Sequence, residues 1–244
     1  MGGAERFAFN GEAERAAEGD ETEEDEIQEV ISPGSLAAAA FDAPPVLGAH
    51  YAMPYCLRMA VVKKKGASPV YNMGDFCFHD DQQAKLLFIV SARNEHTRSR
   101  RVLLDSSGVP IFVAQRKMLS FYNRWDAYRG ESAKEEDALF SVQKSAYFQV
   151  KMSFNVYLAS LRKDSKKPSF KVKGNYHGRD CRVLCGSQVV AEVKKGEADS
   201  GLASQEKFLI IVQPGIDYAF IAGLILIMDE IHREIADHRN QQCS

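Results

Sequence analysis

The sequence contains little cysteine and almost no tryptophan. Of its 244 residues, five are cysteines and one is a tryptophan. The cysteines are irregularly spaced, and they form neither a Cys-x-x-Cys pair nor a zinc-ligand pattern with a His-x-His spacing. This spacing favours free thiols over a disulfide framework or a metal site. Free thiols are typical of a reducing compartment, so we expect an intracellular location, either cytoplasmic or nuclear.

Long apolar runs are also missing. The most apolar segment, Ile216–Met228, is interrupted by Asp217 near its start and is followed by Asp229. A helix between these two acids is about 16 Å long, whereas the hydrocarbon core of a bilayer is about 30 Å thick. The first residues contain no apolar signal-peptide core either. We therefore predict no transmembrane span and no secretory leader.

Motifs that carry catalysis are not found in the sequence. There is no Gly-x-Ser-x-Gly elbow, and the six histidines are scattered. Gly174–Gly178 lies at a predicted strand end with no helix after it, so it lacks the context of a phosphate-binding loop. The His79-Asp80-Asp81 cluster is explained by a turn at the end of a hairpin. We therefore expect no enzyme activity, no catalytic residues, no cofactor and no bound metal.

Charge is distributed very unevenly along the chain. Residues 1–45 contain twelve acidic and two basic residues, a net charge of −10, whereas the whole chain carries −2, so residues 46–244 carry +8. Such an acidic segment buries too little apolar surface to offset its ordering entropy. We predict that residues 1–45 are a disordered acidic arm and linker, and that residues 46–244 form one domain.

Short apolar or alternating runs broken by turn residues predict twelve strands, a number typical of a β-sandwich or barrel. The predicted strands are Arg58–Lys64, Asp75–Phe78, Leu86–Val90, Arg101–Asp105, Pro110–Gln115, Trp125–Gly130, Leu139–Lys144, Phe148–Leu158, Phe170–Tyr176, Cys181–Leu184, Val189–Lys194 and Phe208–Gln213. Ile216–Met228 breaks this pattern, because a helix here is apolar on every face. A helix enclosed by a β-barrel satisfies that pattern. Asp229-Glu230 and a polar tail follow the helix in the sequence.

Four segments together resemble the plant LURP-one-related family, whose domain is similar to the tubby C-terminal domain and to phospholipid scramblases. The segments are Arg101–Ile111, Arg124–Gly130, Phe170–Val183 and Pro214–Ile231, and they occur in the order typical of the family. The resemblance implies a mostly β, twelve-stranded tubby-like barrel that encloses a hydrophobic C-terminal helix. In the first hairpin, Ala84 stands where the family tends to have glycine.

The resemblance implies a non-enzymatic regulator or adaptor, with one branch of the family associated with plant defence. Tubby domains bind phosphoinositides through basic side chains, but their motif has no counterpart that we can place here. Anionic membrane lipid, contacted peripherally at the plasma membrane, and protein partners are therefore the two expected classes of partner.

Four clusters of basic residues are the candidate anionic-ligand residues. Each cation near an anionic membrane contributes about 1 kcal/mol to binding. The alternative is that they are solvated loop ends dispersed around the barrel, which favours a protein-interaction module with no lipid role. Nucleic acid is unlikely as a partner, because aromatic residues do not alternate with these clusters. The candidates are Lys63, Lys64, Lys65, Arg98, Arg100, Arg101, Arg162, Lys163, Lys166, Lys167, Lys194 and Lys195.

Trp125, the single tryptophan, has two interpretations. It is either an interfacial anchor for a membrane or peptide, or a core residue of the barrel. The surrounding residues read as an ordinary strand end, so we favour the core position.

Overall fold

The computed structural model describes residue 43 and residues 45–64, 76–91, 100–117, 124–145, 153–161, 167–196 and 205–242. All of them belong to the larger of two compact units, residues 37–244. The predicted acidic arm lies almost entirely outside the described residues, so its disorder and its boundary with the domain stay predictions.

The described residues form twelve strands, three short 3₁₀ helices and one long helix. The 3₁₀ helices are Ala49–Tyr51, Glu135–Asp137 and Ala159–Leu161, and the long helix, α1, is Tyr218–Gln242. The strands are β1 (Leu57–Lys64), β2 (Phe76–Asp80), β3 (Leu86–Val90), β4 (Arg100–Asp105), β5 (Pro110–Arg116), β6 (Trp125–Arg129), β7 (Ala138–Lys144), β8 (Phe154–Leu158), β9 (Phe170–Asn175), β10 (Asp180–Cys185), β11 (Gln188–Lys195) and β12 (Gln205–Val212).

The twelve strands close into a single antiparallel barrel. Each strand pairs with its neighbours in the sequence, and β1 completes the ring by pairing with β12, Leu57 opposite Val212. The predicted mostly β, twelve-stranded barrel with an enclosed C-terminal helix is thereby confirmed. The predicted strand start at Phe148 lies outside the described residues, and β12 begins three residues earlier than predicted.

Alternation along the strands directs apolar side chains into the barrel. In β9, Phe170 and Val172 are buried, whereas Lys171 and Lys173 are exposed, as the sequence pattern predicts. Trp125 on β6 is completely buried. The structure therefore supports the core interpretation of the tryptophan and not that of an exposed anchor.

The helix α1 fills the barrel. Every residue from Ile216 to Ile231 is buried, so the apolar residues on all faces of α1 meet the inner wall of the barrel. The helix extends to Gln242, well beyond the predicted end at Met228. The polar sequence that follows Glu230 continues the helix. Asp229 and Glu230 themselves lie inside the barrel, where cations from the wall pair with them.

A glycine allows one strand to approach α1 closely. A Cβ atom at Gly223 would overlap the ring of Phe112 on β5. We expect Gly223→Ala to lower the free energy of unfolding by about 1–3 kcal/mol, because overpacking a filled core forces neighbours apart. Without this overlap the substitution should stabilise the domain, because alanine favours a helix by about 1 kcal/mol relative to glycine. A loss of stability therefore indicates the overlap. Urea denaturation measures the change.

A double-mutant cycle with Phe112→Leu serves as the control. If the ring is the obstacle, the two substitutions together should cost less than the sum of their separate effects. Ala236→Gly, at an exposed position of α1, measures the helix-propensity term alone. A neutral or stabilising Gly223→Ala would contradict this packing.

The turn between β2 and β3 is followed by Ala84, the alanine that stands where the family tends to have glycine. Ala84 has a positive φ of 51°, a conformation that favours glycine. Asp80 is buried, and its carboxylate accepts hydrogen bonds from the backbone N–H groups of Gln82 and Gln83. The predicted turn is present and follows β2 at Asp81–Gln83, and the buried Asp80 carboxylate caps it.

Candidate functional site

One end of the barrel collects six of the seven predicted cations that the structure describes. Because all neighbouring strands are antiparallel, odd-numbered strands end and even-numbered strands begin at the same end. The helix α1 leaves the barrel there, since Asp229 contacts Lys63 near the end of β1 and Glu230 contacts Arg101 near the start of β4. We call this the basic end, and the one at which α1 begins the opposite end.

The predicted anionic-ligand residues fall into three groups. Six lie at the basic end, on β1, β4 and β11: Lys63, Lys64, Arg100, Arg101, Lys194 and Lys195. Lys167 precedes β9 and lies at the opposite end. Five lie outside the described residues: Lys65, Arg98, Arg162, Lys163 and Lys166.

Two of the six cations at the basic end point into the barrel. The Arg101 side chain is completely buried and lies 3.2 Å from Glu230, which is equally buried. The Lys63 ammonium group donates a hydrogen bond of 2.8 Å to the Asp229 carboxylate, and 22% of the Lys63 side chain is exposed. Alternation along β1 explains the position of Lys63, because this residue follows the inward-facing Val61 by two positions. The prediction that Arg101 is an exposed loop-end cation is wrong.

These residues belong to an inner ion cluster, which consists of Lys63, Arg101, Arg179, Arg233, Asp229 and Glu230. Arg179 is the last residue of the turn between β9 and β10 and has a positive φ of 56°. Its guanidinium group lies 2.6 Å from Glu206 on β12 and stacks on the rings of Tyr176 and Phe208. The sequence did not suggest this residue, since it is a single arginine in a turn.

His232 lies just beyond the buried part of α1. Its ring stacks on Tyr176 and lies edge-on to Phe154. Burial lowers the pKa of the imidazole to about 4, so His232 is neutral at physiological pH. It therefore adds no charge to the basic end, whose positive character comes from lysine and arginine.

Three exposed lysines lie where β11 ends and β12 begins. Lys194 and Lys195 on β11 and Lys207 on β12 are exposed, and Lys195 is paired in register with Phe208, the neighbour of Lys207. We call these three lysines the basic strip. Lys194 is 2.9 Å from Glu192 with 56% of its side chain exposed. A pair this exposed contributes little, so this contact leaves Lys194 accessible to a ligand.

Lys207 was missed by the sequence analysis. It is a single lysine between Glu206 and Phe208, so no neighbouring cation in the sequence marks it. The pairing of β11 with β12 is what places it beside Lys195. The backbone of the predicted cation Lys64 continues the same surface, because β1 pairs with β12 on its other side.

The opposite end is closed by the residues before β1. One carboxylate oxygen of the buried Asp217 accepts hydrogen bonds from the backbone N–H groups of Val46, Leu47 and Gly48, the shortest 2.7 Å. Its other oxygen accepts from the Phe220 N–H at the start of α1, which makes Asp217 the N-cap of the helix. Leu47 is buried against the core. This segment therefore covers the mouth of the barrel.

The opposite end also differs from the basic end in its surface chemistry. Acidic residues are frequent in its turns, among them Asp81, Asp105 and Glu131, and in the 3₁₀ helix Glu135–Asp137. The exposed large apolar side chains of the described residues lie there too: Tyr55, Val109 and Leu161. The two ends of the domain thus present different chemistry to a partner.

The interior offers little to a substrate. The helix α1 occupies the space that a ligand would take in an open barrel, and within the described ranges there is no group of three His, Cys, Asp or Glu residues that could hold a metal ion. Burial raises the pKa of the Cys181 thiol to about 12, which keeps it protonated and a poor nucleophile. The barrel interior is therefore occupied by α1 and its apolar side chains.

None of the helices in the part of the chain that the structure describes combines the length and apolar character needed to cross a membrane.

Comparison with known proteins identifies relatives over most of the domain. The family model described as LURP-one-related matches residues 59–229. Protein LURP-one-related 15 of Arabidopsis thaliana is 35% identical over 192 residues, which cover 78% of this chain and 86% of that protein. Protein LURP1 of the same plant is 31% identical, with 77% of this chain and 90% of that protein covered.

A solved structure shows the same fold. The X-ray structure of a protein from Arabidopsis thaliana matches with a TM-score of 0.58 and 28% sequence identity, covering 77% of this chain and 98% of that one. The sequence comparisons thus give the family, and the structural comparison gives the fold.

Proposed function

Because the chain belongs to the LURP-one-related family, we propose that it is a non-enzymatic regulator or adaptor that associates peripherally with anionic membrane lipid through its basic end. The observation that carries the proposal is the basic strip, three exposed lysines on two paired strands. The filled barrel directs recognition to a lipid headgroup at the surface and away from an enclosed acyl chain. We assign the adaptor to plant defence on the family resemblance alone.

Electrostatics sets the expected strength and salt dependence of this association. Each lysine near an anionic surface contributes about 1 kcal/mol. Three lysines therefore contribute about 3 kcal/mol together, which keeps the association weak and reversible. Because the Debye length is about 10 Å at 0.1 M salt and about 3 Å at 1 M, binding should weaken steeply as ionic strength rises.

The test is co-sedimentation with vesicles of phosphatidylcholine, with and without phosphatidylserine, at several salt concentrations. We expect the wild type to sediment only with the anionic vesicles and only at low salt. Replacing the basic strip by glutamine at Lys194, Lys195 and Lys207 should weaken binding about tenfold or more at low salt.

A matched variant controls for net charge. Lys85, Lys134 and Lys167 are exposed lysines at the opposite end, and their replacement by glutamine removes the same charge. This variant should bind nearly as well as the wild type. Equal losses in the two variants would show that net charge alone matters, and identical sedimentation with neutral and anionic vesicles would reject the proposal.

A protein-interaction module with no lipid role is the second candidate function. The observation that favours it is that the exposed large apolar side chains of the described residues, Tyr55, Val109 and Leu161, all lie at the opposite end. If the vesicles fail to bind the wild type at every salt concentration, this candidate replaces the first.

A further inference from the structure

One carboxylate at the basic end is surrounded by cations from three parts of the chain. The Asp229 oxygens lie 2.8 Å from the Lys63 ammonium group on β1 and 3.1 Å from the Arg233 guanidinium group on α1. Arg179, in the turn between β9 and β10, lies 3.8 Å away. Only 4% of the Asp229 side chain is exposed. The carboxylate thus lies among three cations, an environment whose charge suits an oxyanion.

Two of these cations can reach an external ligand. The side chains of Lys63 and Arg233 are 22% and 29% exposed, so solvent contacts each of them. Arg179 is held in place by Glu206 and by the rings of Tyr176 and Phe208. The three cations therefore form a fixed inner wall and an accessible outer rim.

A second ion pair anchors α1 next to Asp229. The adjacent pair Arg101 and Glu230 is completely buried and separated by 3.2 Å, and α1 is surrounded by the barrel up to Ile231. Release of Lys63 and Arg233 from Asp229 therefore requires a local rearrangement of side chains at the rim and no unfolding of the barrel.

We infer that Asp229 is the internal occupant of a phosphate-binding site at the basic end, and that it competes with an external phosphate group for Lys63 and Arg233. The inference rests on the proposed function and deepens it. Besides the basic strip, which is always exposed, the basic end then has a second site whose cations are blocked by Asp229 until a ligand binds. In the resting protein α1 neutralises these two cations. An anionic ligand that engages them displaces the carboxylate of Asp229 from its own partners.

Two variants of equal charge test the inference. Asp229→Asn keeps the size of the side chain and removes the competing charge. Asp180→Asn removes the same charge from an exposed position at the start of β10, also at the basic end. Asp229→Asn should bind phosphatidylserine vesicles about threefold to tenfold more tightly than Asp180→Asn, because it releases Lys63 and Arg233 and each cation contributes on the order of fivefold.

Inorganic phosphate provides a readout that does not depend on membranes. At constant ionic strength set with chloride, 20 mM phosphate should raise the melting temperature of Asp229→Asn by about 3 °C more than that of Asp180→Asn. A gain with phosphate but not with vesicles identifies a soluble phosphate ligand and leaves the membrane role unsupported. Equal behaviour of the two variants in both assays would overturn the inference, even if the wild type binds vesicles as proposed.

A substitution in the wild-type background covers the case in which Asp229→Asn does not fold. Lys63→Gln should change the vesicle affinity of the wild type by less than Lys194→Gln does, since Lys63 is already neutralised by Asp229. If the two lysines contribute equally, Lys63 is available in the resting protein and the inference is wrong.

Discussion

Leu224→Asp is expected to abolish the native fold. Leu224 lies in the middle of α1 and is completely buried among apolar side chains. Placing a carboxylate there costs several kcal/mol, a large part of the about 5–15 kcal/mol by which domains are stable. We expect the near-UV circular dichroism signal and the cooperative urea transition to be lost.

Leu161→Asp is the matched control for this substitution. Leu161 has 43% of its surface exposed, so the same chemical change should alter the free energy of unfolding by about 0.5 kcal/mol or less. A folded Leu224→Asp variant with a transition near that of the wild type would show that α1 is not the core of the domain.

Arg101→Met is expected to destabilise the domain by about 3–5 kcal/mol, because it leaves the charge of Glu230 in a completely buried position without its arginine. Glu230→Met should have a similar cost for the reciprocal reason. The double variant Arg101→Met/Glu230→Met should recover most of the loss, since apolar side chains of similar volume can replace a buried ion pair at little cost. Chemical denaturation of the four proteins gives the complete cycle.

An exposed ion pair calibrates the cycle. Lys134 and Glu136 are 75% and 74% exposed, so Glu136→Met should change stability by about 0.5 kcal/mol or less. Single substitutions at Arg101 and Glu230 that cost no more than this one would contradict the burial of the pair, and a double variant as unstable as the sum of the singles would show that the two charges do not interact.

The fold could be predicted because its signals are local. Alternation of apolar and charged residues in Phe170–Asn175 defines a strand with one buried face, and the apolar run after Gly215 defines a helix enclosed on all sides. The turn residues place the strand ends to within a few positions. Closure of the barrel between β1 and β12 could be predicted only from the number of strands and the family resemblance, because no single segment of the sequence indicates it.

The candidate site could be predicted only in part, because its geometry depends on contacts that are remote in the sequence. Lys63 and Asp229 are separated by 166 positions, so no local pattern reveals that they meet. Consecutive cations such as Arg100-Arg101 suggest a solvated loop end, whereas the strand directs one of the pair inward to Glu230. Lys207 becomes part of the basic strip only once β11 and β12 are paired.

Hydrogen exchange measured by mass spectrometry, with and without phosphatidylserine vesicles, tests most directly whether the basic end is the membrane-binding surface. At low salt we expect slower exchange in peptides that contain Lys194–Gly196 and Gln205–Phe208. Exchange in the turns at the opposite end, Ser106–Val109 and Asp81–Lys85, should be unchanged. Protection confined to the opposite end, or no protection while the protein sediments with the vesicles, would contradict the assignment of the basic end as the membrane-binding surface.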